Sequence, residues 1–274
     1  MTGNGGAAFL RFRQRATFPP TKRLVMIDTR FGYPDHSLPM VDTALGIAKG
    51  NYWEESRAPL ASLMFVTPLL LFYEFGVVLL GPEAVRNGAE VWLRHLLMHL
   101  GLGQYFFLPV LTVGILLAAH YLSRQRWVVR SPTLWGMLVE SLFLAGCLRV
   151  LLGLQSMLFQ QAAHWVLATG ANGHDFSLAE RAVAFVGAGV YEELVFRLIL
   201  MNLLVIGLQL LKLAPPMTLW GGVLLSSFLF ALAHHIGPFG EPFQLFNFLF
   251  RFVAGIFFAL LFVYRAFGIA AGSH

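Results

Sequence analysis

Tyr191-Glu192-Glu193-Leu194-Val195-Phe196-Arg197 lies inside a long apolar run, residues 182–211. A run of that length reads as a helix crossing a bilayer. Each charged side chain in such a helix costs roughly 2.5–3.5 kcal/mol on insertion scales, and this helix carries three within six positions. Ionisable groups retained inside a membrane are functional by default. Glu193 and Arg197 stand four apart with the acid first, which places them on one helix face as a pair. Glu192 is rotated about 100° from Glu193, so one carboxylate is left for other work. The alternative is a structural ion pair with a second Glu facing a polar groove.

The composition agrees with a membrane protein. Of 274 residues, 57% are hydrophobic and 12% charged, and the mean hydropathy is +0.69. Soluble domains carry about 25% charged residues. Continuous apolar runs, rather than short alternating segments, exclude a β-barrel. The expected fold is all-α, a polytopic bundle of about six to seven transmembrane helices of ~20 residues each. The single cysteine, Cys147, rules out an intramolecular disulfide and a cysteine-based zinc cluster. The net charge of +5 belongs to cytoplasmic flanks. No basic patch with interleaved aromatics indicates nucleic acid as a partner.

Residues 1–57 are polar and irregular, with Arg11, Arg13, Arg15, Lys22 and Arg23 but no apolar core of a signal peptide. They read as a disordered cytoplasmic tail, with Met40 a candidate start, followed by a transmembrane domain over 58–274. Glu54 and Glu55 lie in a charged flank. Tyr52 and Trp53 read as interfacial anchors for a first span at 59–80, which carries Glu74. An amphipathic piece at 84–100 holds His95 and His99, without the glutamate of a zinc-protease HExxH. Further spans are read at 105–122, at 134–154 with Glu140 and Arg149 on opposite faces, and at 178–211. Ser177 and Glu180 have capping-box spacing at the start of the last of these, which is longer than one span needs and is expected to tilt, to bend near Gly187 or Gly189, or to break. Spans at 219–235 and 243–264 follow, and 268–274 reads as the opening of a seventh. Lys and Arg gather on the tail and at 123–130 and are absent from 156–177 and 237–244, which predicts a cytoplasmic N-terminus.

A second polar stretch is Ser226-Ser227-Phe228-Leu229-Phe230-Ala231-Leu232-Ala233-His234-His235. Its small residues allow close approach of another helix. A desolvated carboxylate makes a useful general base, and an imidazole can orient water or stabilise developing charge. No G-x-S-x-G context supports a serine nucleophile.

Glu192-Glu193-(three residues)-Arg197 fits EExxxR, and Phe230-(three residues)-His234 fits FxxxH. These stretches resemble the first two motifs of the CPBP (Abi) family, which includes the type II CAAX prenyl endopeptidases and membrane proteins linked to bacteriocin processing or immunity. The resemblance covers about residues 130–274. It implies a glutamate-dependent intramembrane endopeptidase in which Glu192 activates water with His234, supported by Glu193 and Arg197. The family's third motif is a His followed four residues later by Asn or Asp and is associated with an oxyanion site. His274 stands at that His, and position 278 lies beyond the sequence, so the motif-bearing core is expected to be truncated there. The resemblance favours no cofactor, with zinc as the alternative. Its implied partners are the lipid bilayer and a peptide or membrane-protein substrate; the family's spread suggests a bacterial inner membrane, and with it an unprenylated substrate. Two other readings remain open: a non-catalytic scaffold or immunity protein of the same fold, and a transporter with Glu74, Glu140, Arg149 and Arg251 along its path.

Overall fold

The computed structural model describes residues 51–81, 87–102, 107–158, 177–236 and 240–274. Residues 1–50 of the expected 1–57 tail with its candidate start at Met40, most of the 156–177 loop, and the first residues, 237–239, of the 237–244 loop lie outside the described residues. Every described element is helical. The short α1 (Asn51–Ser56) leads into α2 (Pro59–Leu80), and these are followed by α3 (Gly88–His99), α4 (Phe107–Ser123) and α5 (Ser131–Leu158). The motif helix α6 (Leu178–Leu210) comes next, then α7 (Pro215–Ala233) and α8 (Leu245–Gly272). Five of these, α2 and α5 to α8, are long and apolar enough to cross a membrane, and α4 is a shorter apolar helix. The chain is thus an integral, multi-pass helical bundle. Large apolar side chains such as Leu79, Phe143, Leu158 and Phe185 point outward, which suits a lipid surround.

Local sequence sets the helix ends. Pro59 and Pro215 occupy first-turn positions of α2 and α7, where a missing N–H costs nothing. Gly81 closes α2 with φ 81°, a conformation glycine adopts freely. The predicted capping box is present: Glu180 N–H donates to Ser177 Oγ at 3.2 Å and Ser177 N–H donates to Glu180 Oε2 at 2.7 Å. The expected bend at Gly187 or Gly189 is not where α6 departs from regularity. Those glycines serve close packing, since a Cβ would stand 2.2 Å from the Tyr73 ring at Gly187 and 2.5 Å from the Ala271 carbonyl oxygen at Gly189. The irregularity is a π-helical stretch, Glu193–Met201, that begins on the motif itself. Such wide turns occur mostly at functional sites.

The segment at 268–274 does not open a separate span. It continues α8 past a break at Ala266, where φ is 66° and ψ −178°. A non-glycine residue there is strained by about 1–3 kcal/mol. Two contacts flank the break and hold it. Before it, Arg265 donates to Glu140 through Nε and Nη2, at 2.5 and 2.6 Å, and to Ser56 Oγ at 3.1 Å. After it, the Gly268 N–H, freed by the interrupted helix, donates to Ser62 Oγ at 3.0 Å.

Arg265 is therefore spent inside the bundle. Tyr52 and Trp53 also do more than anchor. Tyr52 Oη donates to Glu140 at 2.6 Å, and the Arg265 guanidinium lies 3.8 Å over the Trp53 ring. Glu55 likewise pairs with Arg130, at 2.9 Å. Of the four residues of the transport reading, Glu140 is held by Arg265, Arg251 by Glu241 and Glu74 by Tyr191, while Arg149 is exposed on α5. Three of the four are thus paired within the described bundle, and the fourth faces outward.

Replacing Glu140 by Gln should leave Arg265 buried without its anion and cost roughly 3 kcal/mol, the low end for a broken buried pair. Thermal melting in detergent reads it as a lowered transition; an unchanged transition would show that the pair does not secure α8 to α5.

Candidate active site

Glu192 is the last regular α-helical residue before the π-helical stretch. Its side chain enters a cleft formed by α6, the end of α7, the C-terminal turn of α8 and the start of α3. Three groups converge on it. His274 Nε2 is 3.2 Å from Oε2 but is not aligned for a hydrogen bond. His234 Nε2 is 4.0 Å from Oε1. Asn87 Nδ2 donates to Oε1 at 2.7 Å. Glu192 keeps 7% of its surface exposed, and both histidines are partly exposed, so the cleft is reachable.

The tautomer of His234 follows from its other nitrogen. Nδ1 lies 2.8 Å from the Phe230 carbonyl oxygen. A carbonyl only accepts, so Nδ1 carries the proton. In its neutral form the ring then presents the lone pair of Nε2 toward Glu192. The four-residue spacing of Phe230 and His234 thus does two things on α7: it supplies this carbonyl, and it sets the Phe230 ring edge-on to the imidazole at 4.8 Å. The Glu241 N–H donates to the His234 carbonyl at 2.9 Å. His274 is fixed differently, stacked on Phe258 of α8 with ring centroids 4.5 Å apart.

A gap of 4.0 Å between the Glu192 and His234 acceptors is too long for a direct hydrogen bond and is a span that one water bridges. Water has two protons to donate, one for each acceptor. Among the described residues, no group of three or more His, Cys, Asp or Glu side chains is arranged to hold a metal ion.

Glu193 and Arg197 lie behind this cleft. Arg197 Nη1 is 3.2 Å from Glu193 Oε1, with the side chains 1% and 0% exposed. The guanidinium also donates to the Gly255 carbonyl at 3.3 Å and lies 4.3 Å over the Phe230 ring. Because Phe230 also supplies the carbonyl that orients His234, the ion pair and the histidine share one support. Ser227 is buried and donates to the Val223 carbonyl at 2.6 Å.

All five residues singled out by motif therefore gather within one region. Asn87 was missed. It sits more than 100 positions away in sequence, and nothing local to it signals the contact beyond its fitness as a helix N-cap.

Residues 175–274 match the family model described as type II CAAX prenyl endopeptidase Rce1-like. The match spans just over a third of the chain and is consistent with the CPBP resemblance. The Rce1-like segment contains Glu192, Glu193, Arg197, His234 and His274, and supports a membrane protease at the family level. Asn87 and helices α1 to α5 lie outside it. No curated protein and no solved structure gives a significant match to the chain.

Glu193→Gln leaves the Arg197 guanidinium buried without its acid and should destabilise the fold by roughly 3–5 kcal/mol. Glu192→Gln, in the partly exposed cleft, should melt close to the unmodified protein. Equal melting of both variants would contradict this division between support and site.

Proposed function

We propose that the protein is an intramembrane endopeptidase in which Glu192 is the general base and water the nucleophile. The observation that carries the reading is the 4.0 Å gap between Glu192 Oε1 and His234 Nε2, with both atoms acting as acceptors. A water placed there donates one proton to each. As its oxygen attacks the carbonyl carbon of a peptide bond, Glu192 takes a proton and the carbonyl oxygen becomes an oxyanion. The protonated Glu192 then returns that proton to the leaving nitrogen as the C–N bond breaks. His274 Nε2–H serves as a donor to the oxyanion. Glu193 and Arg197 act through the backing of the cleft.

The bilayer and a peptide substrate are the partners that an Rce1-like membrane protease implies. The finer reading is an unprenylated peptide or membrane-protein segment, cut without a metal, in a bacterial inner membrane with the N-terminus of the chain cytoplasmic. The basic flanks around residues 123–130 support that orientation.

The test is cleavage of a quenched fluorescent peptide by detergent-purified protein. Glu192→Gln should abolish cleavage while the protein still folds, because the amide cannot accept the proton. His234→Ala should lower kcat more than it raises KM, as expected for a group acting in the transition state. A chelator should leave the rate unchanged. Full activity of Glu192→Gln would refute the glutamate mechanism, and loss on chelation restored by zinc would replace it with a zinc-dependent one. Absence of cleavage by every form would favour a non-catalytic scaffold.

A further inference from the structure

We propose that Asn87 is a positioning residue of the Glu192 site, its amide holding one carboxylate oxygen and thereby aiming the base at the gap it shares with His234. Its chemical consequence rests on the protease reading above; the contact itself does not.

The orientation of the Asn87 amide is decided by its two partners. The Ala89 N–H can only donate, and it meets Oδ1 at 2.9 Å. The Glu192 carboxylate accepts, and it meets Nδ2 at 2.7 Å. Neither end of the amide can be exchanged without losing both bonds. This contact is shorter than those of the two imidazoles, of which His274 stands at 3.2 Å without alignment for a hydrogen bond and His234 at 4.0 Å. A short bond to a carboxylate is charge-assisted and stronger than a neutral one. It falls on Oε1, the same oxygen that faces His234.

Asn87 is itself held in place. It caps the N-terminus of α3, and that helix is fastened by a buried polar chain. Glu90, three residues on and fully buried, accepts from Tyr73 Oη of α2 and from Arg94 Nε at 2.5 Å. Arg94 also reaches Glu74 of α2, at 3.8 Å. Glu74 in turn accepts from Tyr191 Oη at 2.5 Å, and Tyr191 immediately precedes Glu192. Helix α3 is therefore tied to the same turn of α6 twice, through Asn87 to Glu192 and through Arg94 and Glu74 to Tyr191. This explains what an amphipathic, non-spanning helix does in the bundle: it delivers a rigid hydrogen-bond donor to a carboxylate in another part of the fold. It also gives Glu74, Tyr73 and Arg94 a common purpose.

Two substitutions separate the cap from the donor. Serine is as good an N-cap as asparagine, but its side chain is too short to reach Glu192, so Asn87→Ser keeps α3 and loses the contact. Asn87→Ala loses both and reports how much the cap matters. The first readout is infrared difference spectroscopy of detergent-purified protein, with the carboxylate band of Glu192 assigned by its loss in Glu192→Gln. In Asn87→Ser the melting transition should stay near that of the unmodified protein while this band shifts. The second readout is peptide cleavage. There, kcat should fall on the order of ten-fold with KM changed less than about two-fold, the effect of losing one charge-assisted bond at the base. An unmoved band overturns the proposal, as does a moved band with unchanged kcat. Cleavage by the unmodified protein with no effect of Asn87→Ser on band or rate would sink the Asn87 role and leave the protease reading standing. A shifted band in a protein that cleaves nothing would do the reverse, keeping the contact and removing the protease.

Discussion

A carboxylate placed among apolar helices has to be met by donors, and the Glu192 side chain imposes that requirement on the rest of the bundle. Its partners come from α3, α7 and the C-terminal turn of α8, three elements far apart in sequence. Asn87 satisfies one oxygen at 2.7 Å. The two histidines stand close enough to feel the charge and too far, or too poorly aligned, to satisfy it directly. That incomplete satisfaction is what separates Glu192 from its neighbour. Glu193 is sealed against Arg197 with no exposure, in the manner of a structural pair. Two adjacent glutamates thus meet opposite environments, one closed and one reachable.

The architecture can be followed outward from that contrast. The π-helical stretch starts at Glu193, so the regular helix ends where the two carboxylates must diverge. The break at Ala266 lets α8 serve two ends at once. Arg265 before the break ties to Glu140 and α1, and the turn after it packs against Ser62 and carries His274 to Glu192. The close approach of Gly189 to Ala271 brings that turn against α6. Strain at one alanine is tolerable because both flanks are fixed by hydrogen bonds to other helices.

Much of this was legible in the chain. Long apolar runs predict the spans, and the boundaries of α2, α6 and α7 fall within a few residues of the expected ones. Ser177 and Glu180 announce the start of α6 through capping chemistry alone. The four-residue spacing of Glu193 and Arg197 predicts their pairing. What could not be read is long-range. Arg265 resembles any basic flank, because its burial depends on Glu140, 125 positions earlier. Gly187 and Gly189 suggest flexibility in sequence, whereas in the fold they admit Tyr73 and Ala271. Asn87 carries only the local signal of a helix cap, and its second partner emerges only when α3 docks. The site motifs were visible because they are local to two helices; the residues that orient them were not, because tertiary contacts alone define them.

The central claim is that water, activated by Glu192, attacks the peptide carbonyl directly. It is tested most directly by a single turnover in ¹⁸O-labelled water with enzyme in excess over peptide, followed by mass analysis of the new C-terminus and of the Glu192-containing fragment. Direct attack predicts one ¹⁸O in the carboxylate of the product on the first turnover and none in Glu192. An unlabelled first product, or label appearing in Glu192, would mean that the carboxylate attacks as a nucleophile and would contradict the account.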